Sequence, residues 1–344
     1  MKICIVTSNR SEWGLLQSLV KKMKDDLFFD ISVIALGSHC SPHHGNTVSE
    51  IEDAYVIENL VSSDTNVGMC KSLGLAIVSL ADMYAILEPE MILVLGDRYE
   101  IFGAAQVAYM MGIPIAHIHG GEKSGNIDDG FRDCITRLSE IHFCATIKSF
   151  HRVDKITDYC NKNIYHVGAL GCDRLVPVKD KKYPNKFLVV LHPVTPENEN
   201  INELFKYLHT IEENLFFILP NADAGRTEIL KMVHACRWGW RNLEVDYCNH
   251  LPRKEFIDLL SNVKAIVGNS SAGIIEAPTL GIPTINIGSR QKGRERASSI
   301  IDCPCDKESI AKAFDKIGQV KFNYIPYQGG DVTEEIIEIL KGLK

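Results

Sequence analysis

Short apolar runs alternate with longer amphipathic stretches along almost the whole chain. Lys2–Ser8, Asp30–Leu36, Met91–Leu95, Ile113–Ile118, Ile141–Ala145 and Asn163–Gly168 are near-continuous apolar segments that stop at polar or glycine residues. Runs of that length, bounded in that way, read as strands buried on both faces of a parallel sheet. Between them lie stretches with helical spacing: Gly14–Asp25, a helix capped by Ser62–Thr65 and running to about Leu87, Tyr99–Met111, Phe131–Ser139 and Ser149–Tyr159. The rhythm breaks from Ala169 to about Pro184, where the charged run Lys179–Lys182 marks a linker. It restarts with strands at Lys186–Leu191, Leu215–Leu219, Leu243–Tyr247, Ala265–Val267 and Pro283–Ile287. Helices at Asn200–Glu212, up to about Cys236, at Arg253–Leu260, through Glu276, at Lys307–Ile317 and at Thr333–Leu343 alternate with them. The pattern predicts an α/β protein of two doubly wound, Rossmann-like domains, residues 1–170 and 171–325.

Ligands of open parallel sheets bind beyond the carboxyl ends of the strands. The stretch Leu95–Arg132 contains two such ends, Gly96-Asp97-Arg98 and His119-Gly120-Gly121-Glu122. Asp97, Arg98, His119, Glu122, Asp128, Asp129 and Arg132 therefore fall on the functional edge, where acids, bases and cations point to proton transfer on an anionic ligand. The first strand–helix turn, Asn9–Glu12, offers helix-terminal N–H groups to an anion. Arg10 there either holds a phosphate or is a solvated loop arginine. The GxGxxG fingerprint of a dinucleotide site is missing from this turn. In the second half, Gly268–Gly273 reads GNSSAG. Small residues there let backbone amides approach a phosphate, with the Ser270 and Ser271 hydroxyls as further donors. Glu276, one turn on, suits ribose hydroxyls. A plain glycine turn with a capping serine is the alternative. A basic loop follows Gly288-Ser289-Arg290.

Composition narrows the partners. A chain of 344 residues accommodates two domains, and a net charge of −7 argues against wholesale nucleic-acid binding. No apolar run is expected to span a bilayer, and the first strand is not followed by a signal-peptide cleavage site. The 11 cysteines are an odd set without metal-ligand spacing, and Cys4, Cys134 and Cys144 read as reduced core thiols of a cytoplasmic protein. The histidines around His43 and His44 read as a loop over a cleft, because Pro42 and Gly45 break helical pairing. No metal or cofactor is expected.

Seven ordered motifs carry a resemblance: GDRYEIF (Gly96–Phe102), HIHGGEKSG (His117–Gly125), DDGFR (Asp128–Arg132), HPVT (His192–Thr195), NADAGR (Asn221–Arg226), GNSSAGIIEAP (Gly268–Pro278) and GSRQKGR (Gly288–Arg294). Together the chain resembles the hydrolysing UDP-N-acetylglucosamine 2-epimerases. That resemblance implies a GT-B architecture, with a cleft between the domains and the C-terminal helix, residues 331–344, returning to the first. It implies conversion of UDP-N-acetylglucosamine to N-acetylmannosamine and UDP through a 2-acetamidoglycal, or the same reaction on a nucleotide-linked 2,4-diacetamido-2,4,6-trideoxyglucose, as in sialic- or legionaminic-acid synthesis. A GT-B glycosyltransferase is the rival from another class. Position by position, Asp97, Asp128 and His192 match catalytic residues. Arg10, Arg98, Asn221, Ser270, Ser271, Glu276 and Arg290 match substrate contacts. At His119 several members have Glu, so either His119 or Glu122 handles the proton. The resemblance further implies a homodimer or homotetramer.

Overall fold

The computed structural model describes residues 1–41, 46–61, 65–159, 163–193, 201–220, 225–239 and 244–343. Two compact units emerge. The first comprises Met1–Lys123, Ile127–Arg174 and Gly329–Lys344, and the second Ser124–Asn126 and Leu175–Gln328.

In the first unit the order is β1 (Lys2–Thr7), α1 (Arg10–Asp25), β2 (Asp30–Leu36), β3 (Tyr55–Ile57), α2 (Asn66–Leu87), β4 (Met91–Leu95), α3 (Tyr99–Met110), β5 (Ile115–Ile118), α4 (Asp128–Leu138), β6 (Ile141–Cys144), α5 (Ile147–Ile156) and β7 (Ile164–His166). All pairings are parallel, in the order β3-β2-β1-β4-β5-β6-β7. Alternation along each strand divides the core. Ile3 and Ile5 of β1 and Leu93 of β4 join one cluster, while Cys4, Val6, Ile92 and Val94 join the other. Buried strands of that kind need helices on both faces. One face receives α1, through Trp13, Leu16, Leu19, Val20 and Met23. A final helix from the far end of the chain, whose Val332, Ile336, Ile337 and Leu340 are buried, packs in the same cluster. The other face receives α2 and α3.

The second unit runs β8 (Tyr183–Val190), α6 (Asn202–Leu208), β9 (Asn214–Ile218), α7 (Arg226–Gly239), β10 (Val245–Cys248), α8 (Arg253–Asn262), β11 (Val263–Gly268), α9 (Glu276–Thr279), β12 (Thr284–Ile287), β13 (Ile300–Cys303) and α10 (Lys307–Lys316). The chain then re-enters the first unit as α11 (Val332–Gly342), the final helix noted above. The second sheet is again all parallel, ordered β10-β9-β8-β11-β12-β13. Both sheets thus carry the doubly wound order, with the strand direction of progression reversing between β1 and β4 and between β8 and β11.

Three expectations change. First, α2 is long and apolar enough to cross a membrane: 22 residues, with an 18-residue window of mean hydropathy 1.5. It nevertheless serves as a crossover helix on the sheet. Gly68, Ser72, Ala76, Leu80 and Tyr84 form its buried row, and the Tyr84 hydroxyl donates to the Ala104 carbonyl at 3.3 Å. Second, Cys134 is exposed, because α4 turns its neighbours Ile135 and Thr136 inward instead. Third, β3 and β13 are strands that the apolar pattern misses. The histidine-rich residues 42–45, the capping residues 62–64 and the expected starts at Asn200 and Leu243 lie outside the described residues.

Candidate active site

At the first reversal point, β1 ends at Ser8-Asn9-Arg10. The amides expected to receive an anion are already used. Asn9 Oδ1 accepts from the Ser11 and Glu12 N–H groups at 2.8 and 3.1 Å, and Glu12 Oε2 accepts from the Ser8 N–H at 2.7 Å. A helix N-terminus capped by its own side chains has little left for a phosphate. Arg10 is the first residue of α1 and is half-buried. Burial, with the Glu100 charge adding to it, pushes the Glu12 carboxyl up to about 7. Glu100 Oε2 lies 3.4 Å from Arg98 Nε, so Arg98 is tied back to α3.

Beyond β4 and β5 the polar residues converge on Arg132, which α4 projects inward and which is 1% exposed. Its guanidinium donates to Asp97 Oδ2, to Asp129 Oδ1 at 2.8 Å and to the Glu122 carbonyl at 2.9 Å. A planar fork suits several acceptors at once, where a lysine would meet one. Asp97 retains 22% of its side-chain exposure, which leaves one carboxylate of this cluster accessible. Asp128, the first residue of α4 and the neighbour of Asp129 in sequence, is half-buried. The sequence places Arg132 on the functional edge but gives it no role, although its spacing from Asp129, one turn of helix, signals the pair.

His119 has φ +64, in the left-handed region that costs a non-glycine residue free energy, and Gly121 has φ +75. Any Cβ on Gly121 would lie 2.4 Å from the Ser149 carbonyl oxygen, so the second glycine of HIHGGE is required by close packing on α5. This contorted turn lays His119 beside Glu122. His119 Nδ1 is 2.9 Å from Glu122 Oε1, and the Leu170 N–H donates to His119 Nε2 at 3.2 Å. Since Nε2 accepts, the proton of a neutral ring sits on Nδ1, on the side of the Glu122 carboxylate. Beneath them His117 Nε2 is 2.8 Å from the Gly96 carbonyl, tying β5 to the residue before Asp97. Burial holds the His117 imidazole down at about 4, so it is neutral at physiological pH and donates that proton.

The second reversal point is built alike. The His192 N–H donates to Asn269 Oδ1 at 2.7 Å, and Asn269 Nδ2 donates to the His192 carbonyl at 2.8 Å. Asn269 thereby staples the end of β8 to the end of β11. Gly268 before it has φ +138, and a Cβ there would sit 2.0 Å from the Val190 carbonyl oxygen. Arg290 donates to the Asn269 carbonyl at 2.9 Å, and Gln291 to the same oxygen at 3.0 Å. Ser270 and Ser271 are half-buried, and the Ser270 hydroxyl oxygen accepts from the Ala272 N–H at 3.3 Å. The expected helix through Glu276 is instead a 3-10 turn, Ser271–Gly273, and the four-residue α9. So short an element has almost no macrodipole, and the turn's own amides and hydroxyls must do any anion binding. Glu276, buried, accepts at Oε1 from Arg253 Nη1 at 2.8 Å, at the start of α8, a partner with no sequence signal. Asn221 lies outside the described residues.

Two Rossmann-order parallel units, each with polar side chains at its reversal point, define a two-domain α/β protein of GT-B-like fold. Residues 21–341 match the family model described as UDP-N-acetylglucosamine 2-epimerase, and the chain belongs to that family. Among its relatives is a GDP/UDP-N,N'-diacetylbacillosamine 2-epimerase (hydrolyzing) of Campylobacter jejuni, 33% identical, covering 93% of this chain and 88% of the relative. A UDP-N,N'-diacetylbacillosamine 2-epimerase (hydrolyzing) of Legionella pneumophila is 32% identical, covering 99% and 95%. In fold, the chain is similar to the UDP-GlcNAc 2-epimerase of Methanocaldococcus jannaschii in complex with UDP-GlcNAc and UDP. The TM-score is 0.81 at 16% identity, over 99% of this chain and 100% of that one.

Proposed function

We propose that the protein is a hydrolysing 2-epimerase of a UDP-linked 2-acetamido sugar. The observation that carries this reading is the carboxylate cluster around Arg132 in a chain of this family. The reaction breaks the C1–O bond to the departing nucleotide diphosphate while a base takes the C2 proton, leaving a 2-acetamidoglycal. Water then adds, its hydroxyl to C1 and a proton to C2 on the opposite face. Two proton-handling groups and an anion clamp suffice for this. Asp97, ion-paired with the Arg132 guanidinium, is the base; Asp128 and Glu122 supply and remove the remaining protons. Because both ring nitrogens of His119 engage the protein, Glu122 takes the proton role and His119 orients it. His192, Arg10, Arg98, Asn221, Ser270, Ser271, Glu276 and Arg290 bind the nucleotide and its phosphates. The protein works without a cofactor in this scheme.

The names of the Campylobacter and Legionella relatives favour a 2,4-diacetamido-2,4,6-trideoxyglucose nucleotide as the substrate, with UDP-N-acetylglucosamine beside it. The test is a proton NMR time course in D2O with each sugar nucleotide and no acceptor. Free 2-epimeric sugar carrying deuterium at C2, plus free nucleotide, is the expected product. A product that keeps its nucleotide overturns the hydrolysing assignment. Turnover that waits for an acceptor sugar turns the reading to a glycosyltransferase.

A further inference from the structure

Two carboxylates lie buried where β1 and β4 part. Glu12, in the first turn of α1, is 6% exposed, and Glu100, in the first turn of α3, is 1% exposed. Ser8 links them. Its N–H donates to Glu12 Oε2 at 2.7 Å, and its hydroxyl lies 3.0 Å from both Glu12 oxygens. The Ser8 carbonyl and Glu100 Oε1 both press on Gly37, just past β2. A Cβ there would sit 2.9 Å from the first and 3.1 Å from the second.

The cation acting on this corner is Arg98. Two buried acids facing one guanidinium leave a charge in excess, and a carboxyl group escapes that cost by holding a proton. Glu12 is built to hold it. The Ser8 hydroxyl donates to a carboxylate or accepts from a carboxyl group, so Glu12 gains or loses a proton while Oε2 keeps the Ser8 N–H. Burial is the largest influence on Glu12; the Glu100 charge pushes it further up and the Arg98 charge pulls it down, and it settles at about 7. The neighbouring groups stay fixed near neutral pH. Burial holds His39, which lies 3.1 Å from Thr7 Oγ1, down at about 4, and it pushes Tyr99 above its usual range. Arg10, at the start of α1, keeps its charge throughout.

Arg98 is the movable member. Its side chain keeps 22% of its exposure where that of Glu100 keeps 1%, and its Nε meets Glu100 Oε2 at 3.4 Å. A tight charged hydrogen bond is shorter, about 2.7–2.9 Å, so a diphosphate competes well for this guanidinium. We infer, resting on the phosphate role proposed above for Arg98, that Glu12 is a proton-coupled positioning residue. It and Glu100 hold Arg98 in the empty site, and a nucleotide diphosphate that claims the Arg98 charge makes Glu12 take a proton from solvent. The sign follows from the charges. A bound diphosphate cancels the positive field that favours the Glu12 carboxylate, so the bound state holds more protons and affinity rises as pH falls.

The experiment is isothermal titration calorimetry of UDP on the full-length protein at pH 7, in buffers of different ionisation enthalpy, with wild type and Glu12→Gln side by side. Gln keeps an acceptor for the Ser8 N–H and has the shape of a protonated Glu12, so the variant should fold and bind. The terminal phosphate of UDP titrates in this range as well, and its protons cancel in the comparison. Wild type should take up roughly a quarter to a half of a proton more than Glu12→Gln on binding. Its affinity should rise roughly two- to fivefold more than that of the variant between pH 8 and pH 6. Glu100→Gln removes the second buried charge, so the extra uptake should move to lower pH. Equal uptake in wild type and Glu12→Gln, or an uptake that Glu100→Gln leaves in place, overturns the inference while UDP binding keeps the functional reading. Failure of wild type to bind UDP overturns both.

Discussion

Arg132 takes its charge into the interior because two carboxylates and a carbonyl meet it there. Removing one partner from a buried pair costs about 3–5 kcal/mol, since the others are left buried and unpaired. Arg132→Met should lower unfolding stability by that order, measured by urea titration, and abolish turnover. Arg132→Lys keeps the charge but not the fork, so it should preserve more stability than activity; equal recovery of both would deny the fork its positioning role. Asp97→Asn and Glu122→Gln should each reduce kcat by about a hundredfold or more while leaving UDP affinity near wild type. His119→Asn keeps a donor toward Glu122 and should fall between Glu122→Gln and wild type in the same kinetics. A His119 variant as damaged as Glu122→Gln would return the proton role to the imidazole.

At the scale of elements, the second-unit turn depends on Gly268, where a Cβ would clash with the β8 backbone at 2.0 Å. Gly268→Ala should separate the ends of β8 and β11, lowering the melting temperature and weakening UDP binding in calorimetry. Arg253→Met should loosen Glu276 and weaken UDP binding while leaving the fold largely intact; unchanged affinity would remove Glu276 from the nucleotide site. Most helices and strands were legible because buried parallel strands leave long apolar runs. β3 and β13 were not, because three or four residues at a sheet edge, only one of them buried in each strand, leave no such run. The start of α1 at Arg10 instead of Gly14 follows from the Asn9 cap, whose spacing to Glu12 could have been read. Gly268, Ser270 and Glu276 could be singled out by residue type. Their arrangement could not, because Asn269 and Arg253 act through contacts distant in sequence.

For the whole molecule, the buried titratable groups set an acid limit. Burial lowers His39 and His117 from 6.5 to about 4, and His142 to about 3. Below pH 6.5 the unfolded chain binds protons there that the folded one refuses, so stability falls with pH by about 1.4 kcal/mol per group per pH unit. Glu12 acts oppositely: raised from 4.5 to about 7, its contribution is full below pH 4.5 and is lost as pH rises through 7. Between about 4.5 and 6.5 three groups oppose one, and net stability should fall on acidification. Urea titrations should show that slope becoming steeper in Glu12→Gln and shallower in His142→Phe. A second whole-molecule property is set by α11. Its Val332, Ile336, Ile337 and Leu340 complete the first unit's core, and burial of four such side chains, at about 1.5–3 kcal/mol each, rivals the net stability of a domain. During synthesis the ribosome releases β7 and must then make the whole second unit before these residues emerge. At about 5–20 residues per second, the nascent first sheet waits roughly ten to thirty seconds with only α1 on one apolar face and the α11 side of that cluster uncovered. Chains stalled before Val332 should therefore stay protease-sensitive in the first unit and be held by chaperones, though every residue of its sheet has been made.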